Sequence, residues 1–155
     1  MGIRDRLRTH RLASGRDEMR SRAEQLMDDV SLDRSFLDRY PHEMSGGQRQ
    51  RVCLARALAS DPEVLILDES TASLDVSVQA NVLDLLAELQ REKGLTYLFI
   101  AHDLAVVEQI SDTVAVMQNG RVVESGPAVD ILHNPETDYT RMLLDAIPPE
   151  TPSRA

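Results

Sequence analysis

Val64-Leu65-Ile66-Leu67-Asp68-Glu69 is an unbroken aliphatic run closed by two carboxylates, with Glu63 in front of it. Continuous apolar character between acids predicts a strand covered on both faces, as in a parallel sheet. The sequence after it supplies the crossover such a sheet needs. Val78, Val82, Leu85, Leu86 and Leu89 recur at helical spacing until Gly94, and Tyr97-Leu98-Phe99-Ile100 is a second apolar run. Strand, helix and strand in that order predict a parallel crossover unit and an α/β fold class. Ligands of open α/β sheets sit beyond the carboxyl ends of the strands. Asp68 and Glu69 follow the first strand and His102 follows the second, so the topology directs all three toward one crevice.

Upstream, Met44-Ser45-Gly46-Gly47-Gln48 opens a helix whose apolar stripe, Val52, Ala55, Leu58 and Ala59, ends near Asp61-Pro62. A Ser-Gly-Gly turn at a helix start offers backbone N–H groups and a positive helix end to an anion. Taken alone, the same turn is more often a helix cap. Asp68 at a strand tip suits a magnesium ion, directly or through a water. Glu69 could orient or deprotonate an attacking water, and His102 could donate a hydrogen bond to a terminal phosphate. Singly, an Asp-Glu pair after a strand is more often a solvated loop, and His102 before Asp103 could equally be a satisfied histidine at a helix start. Lys93 is the one lysine, in Glu92-Lys93-Gly94, so no G-x-x-x-x-G-K-[ST] phosphate loop can be written anywhere in these 155 residues.

In order along the chain, these segments resemble the motifs of ABC-type ATPases. Met44 to Gln48 resembles the signature, Val64 to Glu69 the Walker B strand with its catalytic carboxylate, Ser73-Leu74-Asp75 the D-loop, and Ala101-His102-Asp103 the switch histidine. The wording of Asp38-Arg39-Tyr40-Pro41-His42, of Leu74 to Ala80, and of Asn134-Pro135 with Tyr139-Thr140 is similar to the oligopeptide and dipeptide importer branch. The resemblance runs from about Arg16 to Ile147. It implies a P-loop NTPase-like α/β core with a parallel sheet, truncated at the N-terminus, plus part of a helical subdomain. Residues 1–60 would be the remainder of that subdomain with the signature helix, 61–126 the catalytic core, and 127–155 the C-terminal helices and tail.

The resemblance also implies ATP and Mg2+ as cofactors, with Glu69 and His102 catalytic, Asp68 on the metal, and Ser45, Gly46, Gly47, Gln48 and Asp75 on the nucleotide. In that family the signature binds the γ-phosphate held by a partner's phosphate loop. The implied partners are a second nucleotide-binding domain across ATP, an upstream segment carrying Walker A, and transmembrane permease subunits. The implied location is cytoplasmic, peripheral on the inner face of the cell membrane. The chain departs from the pattern at Ser70, where proline is usual, at Thr71-Ala72-Ser73, whose order is reversed, and at residues 134–140, which lack a His-Pro pair. Walker A and the Q-loop are absent from the sequence.

Composition narrows the alternatives. The formal charge is −9, yet residues 1–43 hold nine arginines against nine carboxylates, so the acidic excess lies from Met44 onward. That balance argues against nucleic acid as a partner. Seven arginines within the first 22 residues read as a solvated helical face rather than a membrane anchor. From Asp17, the spacing of Ala23, Leu26, Met27 and Val30 predicts an amphipathic helix, and Pro41 predicts a turn before the signature. Cys53, alone among Val52, Leu54 and Ala55, reads as core filler with no disulfide partner. Further on, the pattern predicts a short helix over 105–110, a strand over 114–117, a type I′ turn at Asn119-Gly120 leading to Arg121-Val122-Val123, and helices near 129–132 and 139–146. Pro148 to Pro152 reads as a frayed tail.

The leading expectation is an ATP-hydrolysing subunit, present as the C-terminal part of its domain, that powers peptide import and is inactive alone because it has no phosphate loop. The alternative is a non-catalytic module that lends its signature in trans to a complete ABC ATPase. A third reading, an ABC ATPase of DNA repair or translation, runs against the acidic balance and the importer wording.

Overall fold

The computed structural model describes residues 2–70 and 74–146, so Thr71, Ala72 and Ser73, with the first D-loop position, and the tail from Ile147 lie outside the described residues. The chain divides into two compact units, 1–100 and 101–155.

The first unit opens with helix α1 (Ile3–Thr9), whose Ile3 and Leu7 are buried one turn apart. The sequence reading did not anticipate this helix, because two apolar positions among four charged ones are too short a pattern to register. Helix α2 (Arg16–Asp29) buries Ala23, Leu26 and Met27, as the spacing predicts. Two single-turn 3-10 helices, Arg34–Asp38 and Pro41–Glu43, then carry the chain to helix α3 (Gly46–Leu58), which buries Leu54, Ala55 and Leu58. Strand β1 (Val64–Asp68), helix α4 (Val76–Lys93) and strand β2 (Thr96–Ile100) form the expected parallel unit, with Val64 opposite Thr96 and Asp68 opposite Ile100. Gly94 closes α4 with φ +65°, the left-handed conformation that glycine adopts without penalty.

Leu65 and Leu67 face the core with Val82, Leu85, Leu86 and Leu89 of α4, and the Tyr97 hydroxyl donates to the Leu86 carbonyl at 2.9 Å. Burial pushes the Tyr97 phenol up to about 12. The expectation of strands covered on both faces is corrected here. Burial alternates along β1, leaving Val64 and Ile66 exposed, and Leu98 and Ile100 of β2 are exposed beside them. An apolar run records what a strand needs covered and not what is present to cover it. Cys53 is also corrected, since it is exposed on α3 rather than packed in the core.

Arg51 ties three elements together. Its guanidinium donates to the Val30 carbonyl at 3.2 Å, the Ser31 carbonyl at 3.5 Å and the Asn81 carbonyl at 3.4 Å, joining the end of α2 to α4 across α3. Charge-assisted bonds of this kind stabilise by about 1–3 kcal/mol in total. Arg51→Met is expected to lower stability in urea unfolding by about that amount. Arg51→Lys should recover less than half, because an ammonium cannot reproduce the planar fork.

In the second unit, helix α5 (Leu104–Ile110) precedes the antiparallel strands β3 (Thr113–Gln118) and β4 (Arg121–Pro127). Asn119 and Gly120 join the strands with φ +51° and +75°, the two positive angles of a type I′ turn. Helices α6 (Ala128–His133) and α7 (Asp138–Asp145) follow, and Val106, Val116, Ala128 and Ile131 are the buried aliphatics. Among the described residues no helix is long and apolar enough to cross a membrane.

Glu124 anchors α7. Its carboxylate accepts from the Thr140 hydroxyl, from the Glu136 N–H at 2.7 Å, from the Thr137 hydroxyl at 2.8 Å and from the Thr137 N–H at 3.1 Å. Those donors, the Thr140 hydroxyl foremost, pull its pKa from the ordinary 4.5 down to about 2. A depressed carboxylate stabilises the fold above its unfolded pKa and stops doing so as pH falls through its folded one. The contribution is therefore complete above pH 4.5 and is lost as pH falls toward 2. Acid titration followed by amide exchange should release residues 136–145 over that window, and Glu124→Gln should release them already at neutral pH.

Candidate functional site

The signature begins at a helix cap. The Gln48 N–H donates to the Ser45 hydroxyl oxygen at 3.3 Å, and the Ser45 N–H donates to the Gln48 side-chain oxygen at 2.9 Å, a reciprocal capping box. Ser45 is exposed, and among the described bonds its hydroxyl donates to no protein acceptor. The N–H groups of Gly46 and Gly47 belong to the first helical turn, which has no intrahelical acceptor and carries the positive end of the α3 dipole. Arg49 fixes the approach by donating to the Met44 carbonyl at 2.7 Å.

Both glycines are set by close packing. A Cβ on Gly47 would stand 2.5 Å from Val78 Cγ1, and one on Gly46 would stand 3.3 Å from Leu74 Cδ2. The start of α3 therefore lies directly on the start of α4, which brings signature and D-loop together. Asp75 caps α4, accepting from the Ser77 hydroxyl at 2.8 Å and from the Val78 N–H at 3.0 Å. These two donors hold its carboxyl below the usual carboxylate range.

Asp68 and Glu69 are exposed at the carboxyl end of β1. Asp68 is the register partner of Ile100, and the Glu69 N–H donates to the Ile100 carbonyl at 2.9 Å, so the two strand tips are adjacent. Glu69 has φ +45°, a left-handed conformation uncommon for a residue other than glycine, asparagine or aspartate. Such outliers cost about 1–3 kcal/mol and persist where the surroundings impose them. No sequence signal pointed to this strain. Ser70, at the family's proline position, has a buried hydroxyl with no hydrogen-bond partner among the described residues. His102 is exposed two residues beyond Ile100, in the second unit, ahead of Asp103, whose carboxylate caps α5 by accepting from the Ala105 N–H at 3.1 Å.

Among the described residues, no three His, Cys, Asp or Glu side chains are gathered to hold a metal ion. A groove of about 520 Å³ runs between α2 and the ends of α3 and α4, lined by Arg22, Leu26, Asp29, Leu58, Lys93 and Leu95. None of the sequence-predicted site residues lines it.

Comparison with known proteins agrees with the family resemblance. Residues 3–72 match the family described as ABC transporter. The chain is 53% identical over 146 residues to the Oligopeptide transport ATP-binding protein OppF of Bacillus subtilis (strain 168), covering 94% of this chain and 48% of that protein. It is 53% identical over 139 residues to the Glutathione import ATP-binding protein GsiA of Pectobacterium atrosepticum, covering 90% and 22%. Among solved structures it matches an inward-facing ABC transporter assigned to the metal-chelate type, with TM-score 0.78 and 28% identity over 94% of this chain and 57% of that one. The chain spans about half the length of the first relative and about a fifth of the second. With its α/β architecture and the ordered motifs from Ser45 to His102, the chain belongs to the ABC transporter ATP-binding family.

Proposed function

We propose that this chain is the signature-bearing part of an ATP-hydrolysing subunit that powers peptide uptake. What supports the reading most is the pair Asp68-Glu69, exposed where β1 ends and joined to the end of β2 by the bond from the Glu69 N–H to the Ile100 carbonyl at 2.9 Å. The relatives named for oligopeptide transport and glutathione import supply the substrate class. Permease subunits in the membrane and a second nucleotide-binding domain are the partners of this reading. The chain then sits on the cytoplasmic face of the membrane, with residues 1–60 as helical subdomain, 61–126 as catalytic core and 127–155 as C-terminal helices.

The residues divide the work as follows. The Ser45 hydroxyl and the Gly46 and Gly47 N–H groups, at the positive end of α3, donate to the terminal phosphate of a nucleotide held by another phosphate loop. Gln48 holds Ser45 in place through the capping box. Asp68 holds magnesium, which when bound neutralises charge on the phosphates. Glu69 takes the proton of the attacking water, His102 donates to the terminal phosphate, and Asp75 fixes the D-loop against the signature. Lys93 lies at the end of α4, so the α- and β-phosphates have no lysine loop in this chain and the chain alone turns over no ATP.

The same lack favours a second reading, a module that lends only its signature to a complete ATPase. Ser45→Arg and Glu69→Gln separate the two. In the catalytic reading both abolish turnover of the assembled complex, whereas in the second only Ser45→Arg does. Fast magnesium-dependent hydrolysis by the isolated chain would overturn both.

A further inference from the structure

Two consecutive residues at the tip of β1 each break a local rule of stability. Glu69 is held at φ +45°, and Ser70 encloses its hydroxyl where no hydrogen-bond partner reaches it among the described residues. Left-handed backbone disfavours a residue with a Cβ, and a buried hydroxyl forfeits the bonds it makes to water. Other serines of this unit are satisfied: Ser60 donates its hydroxyl to the Ala57 carbonyl at 3.2 Å, and Ser77 to the Asp75 carboxylate at 2.8 Å. At position 70 alanine would fill nearly the same space and leave no donor unpaired, so serine is the less stable choice for this conformation. Successive violations of this kind mark places where a site, rather than the fold, sets the conformation.

One torsion links the two. The Glu69 N–H is pinned to the Ile100 carbonyl at 2.9 Å, which fixes the chain just ahead of the Glu69 Cα. Turning about the N–Cα bond of Glu69 relieves the left-handed φ, swings the carboxylate about the pinned N–H, and moves Ser70 from its enclosed position. We propose that Ser70 is a positioning residue for Glu69: its unpaired hydroxyl destabilises the conformation described here relative to a second one, in which the hydroxyl is hydrogen-bonded and the Glu69 carboxylate faces the attacking water. The proposal deepens the reading of Glu69 as the base and rests on it. Serine leaves both arrangements open, whereas a proline at 70 would favour extended backbone at Glu69.

The test pairs urea unfolding of the chain with turnover of ATP and magnesium by a complex that contains a phosphate loop. Ser70→Ala removes the unpaired hydroxyl and so favours the conformation described here. It is expected to raise the unfolding midpoint while lowering kcat about fivefold or more, with KM little changed. A hydroxyl with a purely structural role would not move the two in opposite directions. Ser70→Pro, which biases Glu69 toward extended backbone, is expected to match or exceed the wild-type kcat. Any result for Ser70→Ala other than a raised midpoint with a lowered kcat overturns the proposal, as does a Ser70→Pro complex slowed as much as Ser70→Ala. Turnover that survives Glu69→Gln refutes the reading of Glu69 and the proposal with it. Turnover sensitive to Glu69→Gln but indifferent to Ser70→Ala leaves that reading standing and removes Ser70 alone.

Discussion

Glu69→Gln in a complex that contains a phosphate loop is expected to lower ATP turnover by about 10²- to 10⁴-fold, the usual contribution of a positioned general base. The amide is nearly isosteric with the carboxylate and keeps the bond from the Glu69 N–H to the Ile100 carbonyl, because that donor is backbone. It cannot accept a proton from water. ATP binding should survive, and unfolding should be nearly unchanged, so the loss would appear in kcat with little change in KM. The strained backbone at φ +45° gives the substitution a control. Glu69→Gly, at ease in that conformation, should lose turnover equally. Retention of more than a tenth of the wild-type rate by Glu69→Gln would remove Glu69 from the chemistry.

Gly47→Val should have the largest structural effect of any single change at the signature. A Cβ alone would lie 2.5 Å from Val78 Cγ1, and valine adds two methyl groups to that clash. Val78 is on the first turn of α4, whose cap is Asp75, so the turn cannot yield without disturbing the bonds from Ser77 and Val78 to that carboxylate. Overpacking of this kind costs about 1–3 kcal/mol, and a second branched group places valine at the upper end. Gly47→Val with Val78→Ala should recover most of the loss, which thermal unfolding of the two variants will show. A Gly47→Val chain as stable as wild type would mean that the helices are not packed as described.

The legibility of the molecule follows from the range of the interactions. The Val64 to Leu67 run and the stripe from Val78 to Leu89 are local patterns, and the parallel unit they predict is present with its expected order. Asn119-Gly120 specified its turn because few residues other than glycine and asparagine accept positive φ in succession. Ser45 was legible as a cap, since it acts on its own next three residues. Cys53 was misread because its apolar neighbours say nothing about which way one side of α3 faces. Helix α1 was missed because its two buried positions gain their stability from α2 and α3, not from their own turn.

The sequence by itself determined the order of strands and helices, the caps, the hairpin turn and the motifs that mark the family, all of which depend on residues within about four positions of one another or on their succession along the chain. Only the tertiary structure decided that Gly47 exists to let α3 touch Val78, that Glu69 is held at φ +45° against the Ile100 carbonyl, and that Ile66 and Leu98 lie open on one sheet face. Each of these is a meeting of segments distant in sequence. A local pattern records which surfaces a segment needs covered, whereas the partner that covers them is chosen by close packing in three dimensions.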